Sequence, residues 1–330
     1  MAQDACPKPG QVRLPLSEAF VSLALNLEND YAGVSGLSKD APLDQRVARL
    51  LADASGAERD ASLLALLHWQ TTGTLPLFGV TMHRAAPLFD THLALLDRQE
   101  LTEAARAMRD ARAAFPVWNV PAKARYAQWS DGKGRTYRAV DVPLRAASAR
   151  FAAQRPALIT RAEQLAAQDK GFEARLRADL AGKSDFDRFS YLARVVMACL
   201  PKTDDAAQRD AAFGALPQAL RDAVVAQVFI WEAGNGSAHQ YFYNSSGEDA
   251  PRFLALLKRL GLETQAAEFA AAMALLGGEY PLNTQDRRAR MAALSEAEND
   301  ALAQPTWIMD TDDFYDALFG HLKAAEYWPE

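Results

Sequence analysis

The sequence repeats one order of landmarks at a nearly constant separation, and this repeat constrains the fold more than any single motif does. In the clearest pair, Trp69 and Trp231 each end an apolar, helix-like run. The other pairs keep the same order: Phe20/Phe189, Ala86-Pro87/Ala250-Pro251, Leu93/Leu257, Leu96/Leu260, Glu103–Met108/Glu268–Met273, Phe115-Pro116/Tyr280-Pro281 and Phe151/Phe314. Because chance matches rarely keep one order at a nearly constant separation, we predict an internal duplication, with copies at residues 14–170 and 180–330.

The spacing of apolar residues is helical. The i, i+3, i+4, i+7 pattern of an amphipathic helix is followed by Phe253, Leu256, Leu257 and Leu260. Further along, Gly277-Gly278 marks a helix end. We therefore predict an all-α fold of two similar multi-helix modules.

One segment of the first copy departs from this pattern. Short alternating runs, RYAQW and TYRAV, flank SDGKGR, and its Asp131-Gly132 step suits a tight turn. We predict a small β-hairpin insertion near residues 122–142.

The N-terminal residues and the two cysteines carry little signal. Residues 1–13 read as a flexible tail that contains Cys6, and Cys199 lies in the apolar run VVMACL. Their spacing matches no metal or redox motif, so we predict Cys199 to be a small buried hydrophobe. We expect a cytoplasmic location; the alternative is a periplasmic one, because the tail also resembles the start of a processed exported protein. No apolar run approaches the roughly 20 residues of a transmembrane helix.

The net charge of −6 is unevenly distributed. Residues 1–170 hold 21 basic and 18 acidic residues, whereas the remainder holds 15 basic and 24 acidic residues. An acidic half disfavours direct nucleic-acid binding, which needs clustered Lys and Arg, and suits a basic protein partner. The alternative is that the acidic helices only keep the chain in solution.

Residues 231–247, WEAGNGSAHQYFYNSSG, form the most distinctive motif. The Asn235-Gly236 step is a turn signal that breaks the preceding helix. We predict a helix–loop–helix corner in which the side-chain amides of Asn235, Gln240 and Asn244 bond to backbone groups freed at the helix ends.

This stretch resembles the signature of the DNA-mimic protein domain family. The matching residues are Trp231, Asn235, Gly236, Gln240, Phe242, Asn244, Ser245, Ser246 and Gly247. Ser237 stands where the family's motif has a second glycine, and DTDDFYDAL near residue 314 resembles its closing helix. In the first copy the corresponding stretch keeps only Gly73 and an aromatic residue, Phe78. The resemblance covers residues 185–330, and it implies an all-α fold, no catalysis, and an acidic surface that binds a DNA-binding regulator.

The expected partner-binding residues are acidic side chains of the second copy: Glu248, Asp249, Asp310, Asp312, Asp313 and Asp316. Carboxylates on a rigid helical surface engage the Arg and Lys side chains that otherwise grip DNA phosphates. We expect no cofactor, metal, membrane or direct nucleic-acid partner, and either a monomer with an internal pseudo-dimer or a dimer.

Three alternatives remain open at this stage. An immunity-type protein that neutralises a toxin needs the same kind of acidic face. A purely structural or assembly module would need neither a catalytic site nor an inhibitory one. An enzyme would use His239 for acid–base work with a carboxylate such as Glu232 or Asp249.

Overall fold

The chain folds into two compact units of α-helices. The computed structural model describes residues 6–29, 41–72, 75–83, 85–133, 136–201, 203 and 205–330. Pro15–Gly182 form the first unit, and Lys183–Glu330 together with residues 6–14 form the second. The predicted all-α fold is confirmed. Within the described residues the only β-type pairing is an isolated bridge between Ser130 and Thr136.

The helices of each unit follow one another in this order along the chain. The first unit contains α1 (Leu16–Asn29), α2 (Leu43–Leu50), α3 (Gly56–Gln70), α4 (Phe78–Met82), α5 (Phe89–Arg98), α6 (Thr102–Ala113), α7 (Ala122–Trp129), α8 (Arg138–Gln168) and α9 (Lys170–Ala181). The second contains α10 (Asp185–Cys199), α11 (Ala206–Gly214), α12 (Gln218–Tyr243), α13 (Ala250–Arg259), α14 (Glu263–Leu275), α15 (Thr284–Ala292), α16 (Glu296–Ala303) and α17 (Asp312–Ala324). Among the described residues, the 3-10 helices Ala86–Leu88, Ser245–Asp249 and Gln304–Asp310 join neighbouring helices.

Helix α3 is the centre of the first unit. Its residues 60–67 are all buried, because SLLALL is apolar around the whole helix and α1, α5 and α8 pack against it. The first and last helices of the unit meet through the rings of Phe20 in α1 and Phe172 in α9, whose centroids are 6.3 Å apart. Helix α9, which links the two predicted copies, therefore belongs to the first unit.

The predicted hairpin at residues 122–142 is wrong. Residues 122–129 form α7 and residues 138–142 begin α8. Tyr126 and Trp129 are three positions apart, so a helix places both on one face, where they lie 6.2 and 5.4 Å from the ring of Phe78. This aromatic packing outweighs the apparent alternation of RYAQW. Gly132 does adopt a turn conformation, with φ of 72°, whereas residues 134 and 135 lie outside the described residues.

Helix α12 is the centre of the second unit. Its first part buries Phe229, whose ring stacks on that of Phe253 in α13 at 4.1 Å and meets Phe269 in α14 edge to face at 5.8 Å. Aromatic residues bury large apolar areas, so this cluster supplies much of the stability of the unit.

Two unusual polar contacts occur in both units, at almost equal separations along the chain. Asp60 pairs with Arg98 in the first unit, and Asp222 pairs with Arg259 in the second. Arg125 donates to three backbone carbonyls, and the buried Arg287 donates to four.

Most of the matched apolar pairs have a different separation along the chain from that of these recurring contacts. Trp69 and Trp231 have the same separation as the recurring contacts. Pro87, however, lies in a 3-10 helix before α5, whereas its counterpart Pro251 lies in the first turn of α13. The pairs that follow are thus out of step with the recurring contacts by up to about one helical turn. The duplication itself stays a prediction, and Gly73, the glycine kept in the first copy, lies outside the described residues.

The N-terminal segment is not a flexible tail from residue 6 onward. The amides of Gly10 and Leu14 donate to the carbonyls of Glu326 and Glu330 at 2.7 and 3.1 Å, and Val12 is buried in the core of the second unit. The composition of this segment is polar and typical of a loop. Burial of Val12 and these backbone hydrogen bonds nevertheless hold it against the rest of the second unit. Residues 1–5 lie outside the described residues.

The prediction for the cysteines is also wrong. Cys199 is only half-buried and forms a disulfide with Cys6, with 5.3 Å between the two Cα atoms.

Candidate protein-binding surface

The distinctive motif lies at an interruption of α12. Gly236 has φ −172° and ψ 33°, and Ser237 has φ 72° and ψ 172°, so the helical path breaks at these two positions and then resumes. The predicted helix break at Asn235-Gly236 is therefore present, but it is a kink rather than a loop. A side chain at position 236 would collide with the Gln240 amide, which explains why glycine stands there.

The Glu232 carboxylate holds the two sides of the kink together. It accepts hydrogen bonds from the side-chain amides of Gln240 and Asn244, at 3.0 and 2.8 Å, and from the Ser246 hydroxyl at 3.1 Å. Gln240 and Asn244 thus fix the corner as predicted, but through a carboxylate rather than through backbone groups. The Asn235 side chain is exposed and makes no hydrogen bond to a described residue, so the prediction for this residue is wrong.

A buried arginine anchors the end of α12. The Arg287 guanidinium is fully buried and donates to the carbonyls of Phe242, Asn244, Pro281 and Leu282. These are carbonyls that α12 and the turn before α15 leave without helical partners. No sequence pattern singled out this residue, because an arginine in a polar stretch resembles any solvated charge.

Gly247 is the glycine that this arrangement requires. A Cβ atom there would lie 2.6 Å from Arg287 Nε and 2.9 Å from the Phe242 carbonyl oxygen. The carbonyl of Gly247 also accepts a hydrogen bond from the Tyr280 hydroxyl at 2.8 Å. Of the remaining motif residues, Phe242 is buried, with its ring 5.3 Å from that of Phe269, whereas Trp231 is 45% exposed.

The combination of kink, Glu232 cluster and closing Asn-Ser-Ser-Gly turn lies wholly in the second unit. Residues 214–327 match the family model of the DMP19-like protein. The match takes in the whole motif and α12 to α17, roughly a third of the 330 residues. The chain matches no curated protein and no solved structure.

The DMP19-like family is a family of DNA mimics. Its match begins at residue 214, later than the residue 185 at which the resemblance in the sequence begins. The first unit lies outside the matched range.

Helix α16 and the 3-10 helix that follows it pack on α12 near the kink. The 3-10 helix Gln304–Asp310 packs on α12, where the Thr306 hydroxyl accepts a hydrogen bond from the Ala238 amide at 2.8 Å. The Met309 side chain lies beside Gly234, two residues before the kink begins. Helix α16 is held there too, through a 3.2 Å contact between His239 Nε2 and Asn299 Oδ1.

Five of the six predicted partner-binding carboxylates are free. Each is exposed, and among the described residues each makes no ion pair or hydrogen bond; they are Glu248, Asp310, Asp312, Asp313 and Asp316. The sixth, Asp249, is engaged in an ion pair with Arg252. Asp312 and Asp313 lie in the first turn of α17, where the helix dipole favours negative charge.

Two further exposed carboxylates, Glu296 and Asp300 of α16, belong to the same stretch and have no described partner either. We call the acidic rim the set Glu296, Asp300, Asp310, Asp312, Asp313 and Asp316. Residues 296–316 contain seven acidic residues and no basic residue, so no internal counter-charge from this stretch offsets the rim. The acidic composition of residues 296–316 is the sequence signal that points to Glu296 and Asp300.

The rim affects one neighbouring tyrosine. Burial, together with the Asp310 carboxylate, raises the pKa of Tyr315. Tyr315 therefore stays protonated across the physiological range and adds no charge beside the rim.

His239 does not have the carboxylate partner that an acid–base site would need. Its Nε2 atom faces the Asn299 side chain, while Glu232 bonds to Gln240, Asn244 and Ser246, and Asp249 bonds to Arg252. Among the described residues no group of three His, Cys, Asp or Glu side chains is arranged to hold a metal ion. None of the described helices is long and apolar enough to cross a membrane.

Proposed function

We propose that this chain is a non-catalytic inhibitor that binds a basic surface of another protein through the acidic rim of its second unit. The observation that carries the proposal is the acidic rim, whose six carboxylates are exposed and have no partner among the described residues. Carboxylates held on short helices can engage the Arg and Lys side chains that grip phosphates, and bidentate Arg–carboxylate pairs add geometric specificity.

The family match supports the same role. A DNA mimic presents negative charge to a protein that normally binds DNA, and the matched range includes the whole rim. The distribution of charge agrees with this, since residues 183–330 hold 13 basic and 22 acidic residues. Such a chain repels nucleic acid and attracts cationic proteins.

The contacts at the kink provide rigidity. Glu232 accepts from three internal donors, and Arg287 donates to backbone carbonyls, so neither is free for a partner. The motif is therefore a support that fixes α16, the following 3-10 helix and α17. A rigid support lowers the entropy lost when the rim binds.

The test replaces three rim charges. In Asp312→Asn/Asp313→Asn/Asp316→Asn the side chains keep their size and lose three charges. A protein retained from a host extract by the wild-type chain at about 0.05 M salt, and released at about 1 M salt, should bind the variant about tenfold more weakly or worse.

The matched control removes three charges from exposed carboxylates of the first unit, in Asp53→Asn/Glu100→Gln/Glu103→Gln. We expect it to bind like the wild type, and circular dichroism should show both variants folded. The proposal would be overturned if the affinity of the complex changed neither with salt nor with the rim substitutions. DNA binding by the isolated chain would overturn it as well. Competition by duplex DNA for the retained protein would identify the partner as a DNA-binding protein.

A further inference from the structure

The chain has two cysteines, and they are bonded to each other across 193 positions of sequence. Cys199 is the last residue of α10, and Cys6 lies at the start of the described N-terminal segment. Both belong to the second unit, which also carries the acidic rim.

Non-covalent contacts bring the two cysteines together independently of the disulfide. Residues 10–14 bond to residues 326–330 through three backbone hydrogen bonds, between 2.7 and 3.3 Å. Val12 and Tyr327 are both buried in the core, and Tyr327 lines the same pocket as the two cysteines. The packed segment thus holds the Cys6 thiol beside the Cys199 thiol at a high effective concentration, which favours the bond once an oxidant is present.

We infer that the chain works in the oxidised state, in an oxidising compartment, and that the acidic rim binds a cationic exported protein rather than a regulator in the cytosol. Structural disulfides persist outside the reducing cytosol and are rare within it. This inference rests on the proposed function for the partner's charge, and on the disulfide for its location. A toxin-like exported protein that is neutralised by an immunity-type partner meets both requirements.

Formation of the bond needs an electron acceptor. The two thiols of Cys6 and Cys199 lose two protons and two electrons as their sulfur atoms join. A disulfide-bonded thiol oxidoreductase of the same compartment accepts them, and its own disulfide becomes two thiols. Exchange proceeds through a mixed disulfide between one cysteine of this chain and one of the oxidoreductase.

Thiol trapping in host cells tests the oxidation state. Cells are quenched with acid, the proteins are denatured and treated with N-ethylmaleimide before or after reduction, and the mass of the full chain is measured. We expect no adduct before reduction and two adducts after it. The Cys6→Ser variant, which leaves Cys199 without its partner, should carry one adduct before reduction. Two adducts on the wild type before reduction would overturn the inference.

A second measurement tests the partner. The oxidised chain is immobilised and exposed separately to cytosolic extract and to the exported fraction of the host, with the rim variant described above as the specificity control. A cationic protein from the exported fraction that requires the rim supports the inference, whereas one from the cytosol overturns it. Retention of no rim-dependent protein from either fraction would refute the proposed function and the partner assignment together, and thiol trapping would still decide the compartment.

Discussion

Ser237 occupies a backbone conformation that suits glycine, and replacing it should stabilise the protein. Its φ of 72° and ψ of 172° fall in a region that non-glycine residues rarely adopt, at a cost of about 1–3 kcal/mol. Glycine removes this strain and brings its own entropic cost of about 0.5–1 kcal/mol. The Ser237 hydroxyl also accepts a 3.3 Å bond from the His239 amide, and exchanging such a cap for glycine costs a few tenths of a kcal/mol.

The balance predicts that Ser237→Gly raises the free energy of unfolding by about 0.5–1.5 kcal/mol. For a unit of this size, the melting temperature should rise by roughly 2–5 °C, measured by differential scanning calorimetry on the full chain. Ser237→Ala is the control, because it keeps the Cβ atom and loses the hydroxyl, so it should melt below the wild type. If the glycine variant melts at or below the wild type, the strain argument is refuted. Equal stabilisation by alanine would refute it as well.

Three other perturbations follow from the contacts described above. Gln240→Ala removes a donor to Glu232 and should lower the free energy of unfolding by roughly 1–3 kcal/mol without changing partner affinity; an unchanged melting temperature with lost binding would instead make this residue a binding residue. Gly247→Ala forces a methyl group against the buried guanidinium and should lower the free energy of unfolding by at least about 2 kcal/mol. Gly278→Ala, where the surrounding space is open, should lower it much less, and urea titrations of both variants would measure the difference. Burial lowers the pKa of His92 to about 3, below its value in the unfolded chain. The stability due to the neutral ring is therefore fully present above about pH 6.5 and falls by about 1.4 kcal/mol per pH unit as the pH drops towards 3. His92→Gln should flatten this slope in stability measurements between about pH 7 and about pH 4, and an unchanged slope would show that other groups cause it.

The sequence predicted the helical class well because that class depends on local periodicity. The spacing of Phe253, Leu256 and Leu257 is visible in a short window, and all three are buried in α13. The hairpin prediction failed because the short alternation around Tyr126 fits a helix face as well as a strand. Only the contact with Phe78, which lies far earlier in the chain, decides between them.

The candidate site was predicted in part. The motif showed where the helix breaks, and the amides of Gln240 and Asn244 were expected to hold the corner. Their acceptor, Glu232, lies in the same motif but meets them only because the helix kinks between them, and the buried Arg287 contacts a carbonyl 45 positions away. The disulfide was missed for the same reason, since nothing local connects Cys6 with Cys199.

The pairing of residues 10–14 with residues 326–330 has a consequence for biosynthesis. The second unit is discontinuous in sequence, and the first unit is an insertion within it. The ribosome synthesises the first unit before most of the second. All residues of the first unit are therefore available early, and it can fold as a unit. Contact between α1 and α9 brings the two ends of that insertion together, which shortens the connection that the second unit must close and reduces the entropy of closure. Until residues 326–330 have left the ribosome, the second unit therefore lacks the backbone pairs that hold residues 10–14, whereas the first unit already has all of its residues.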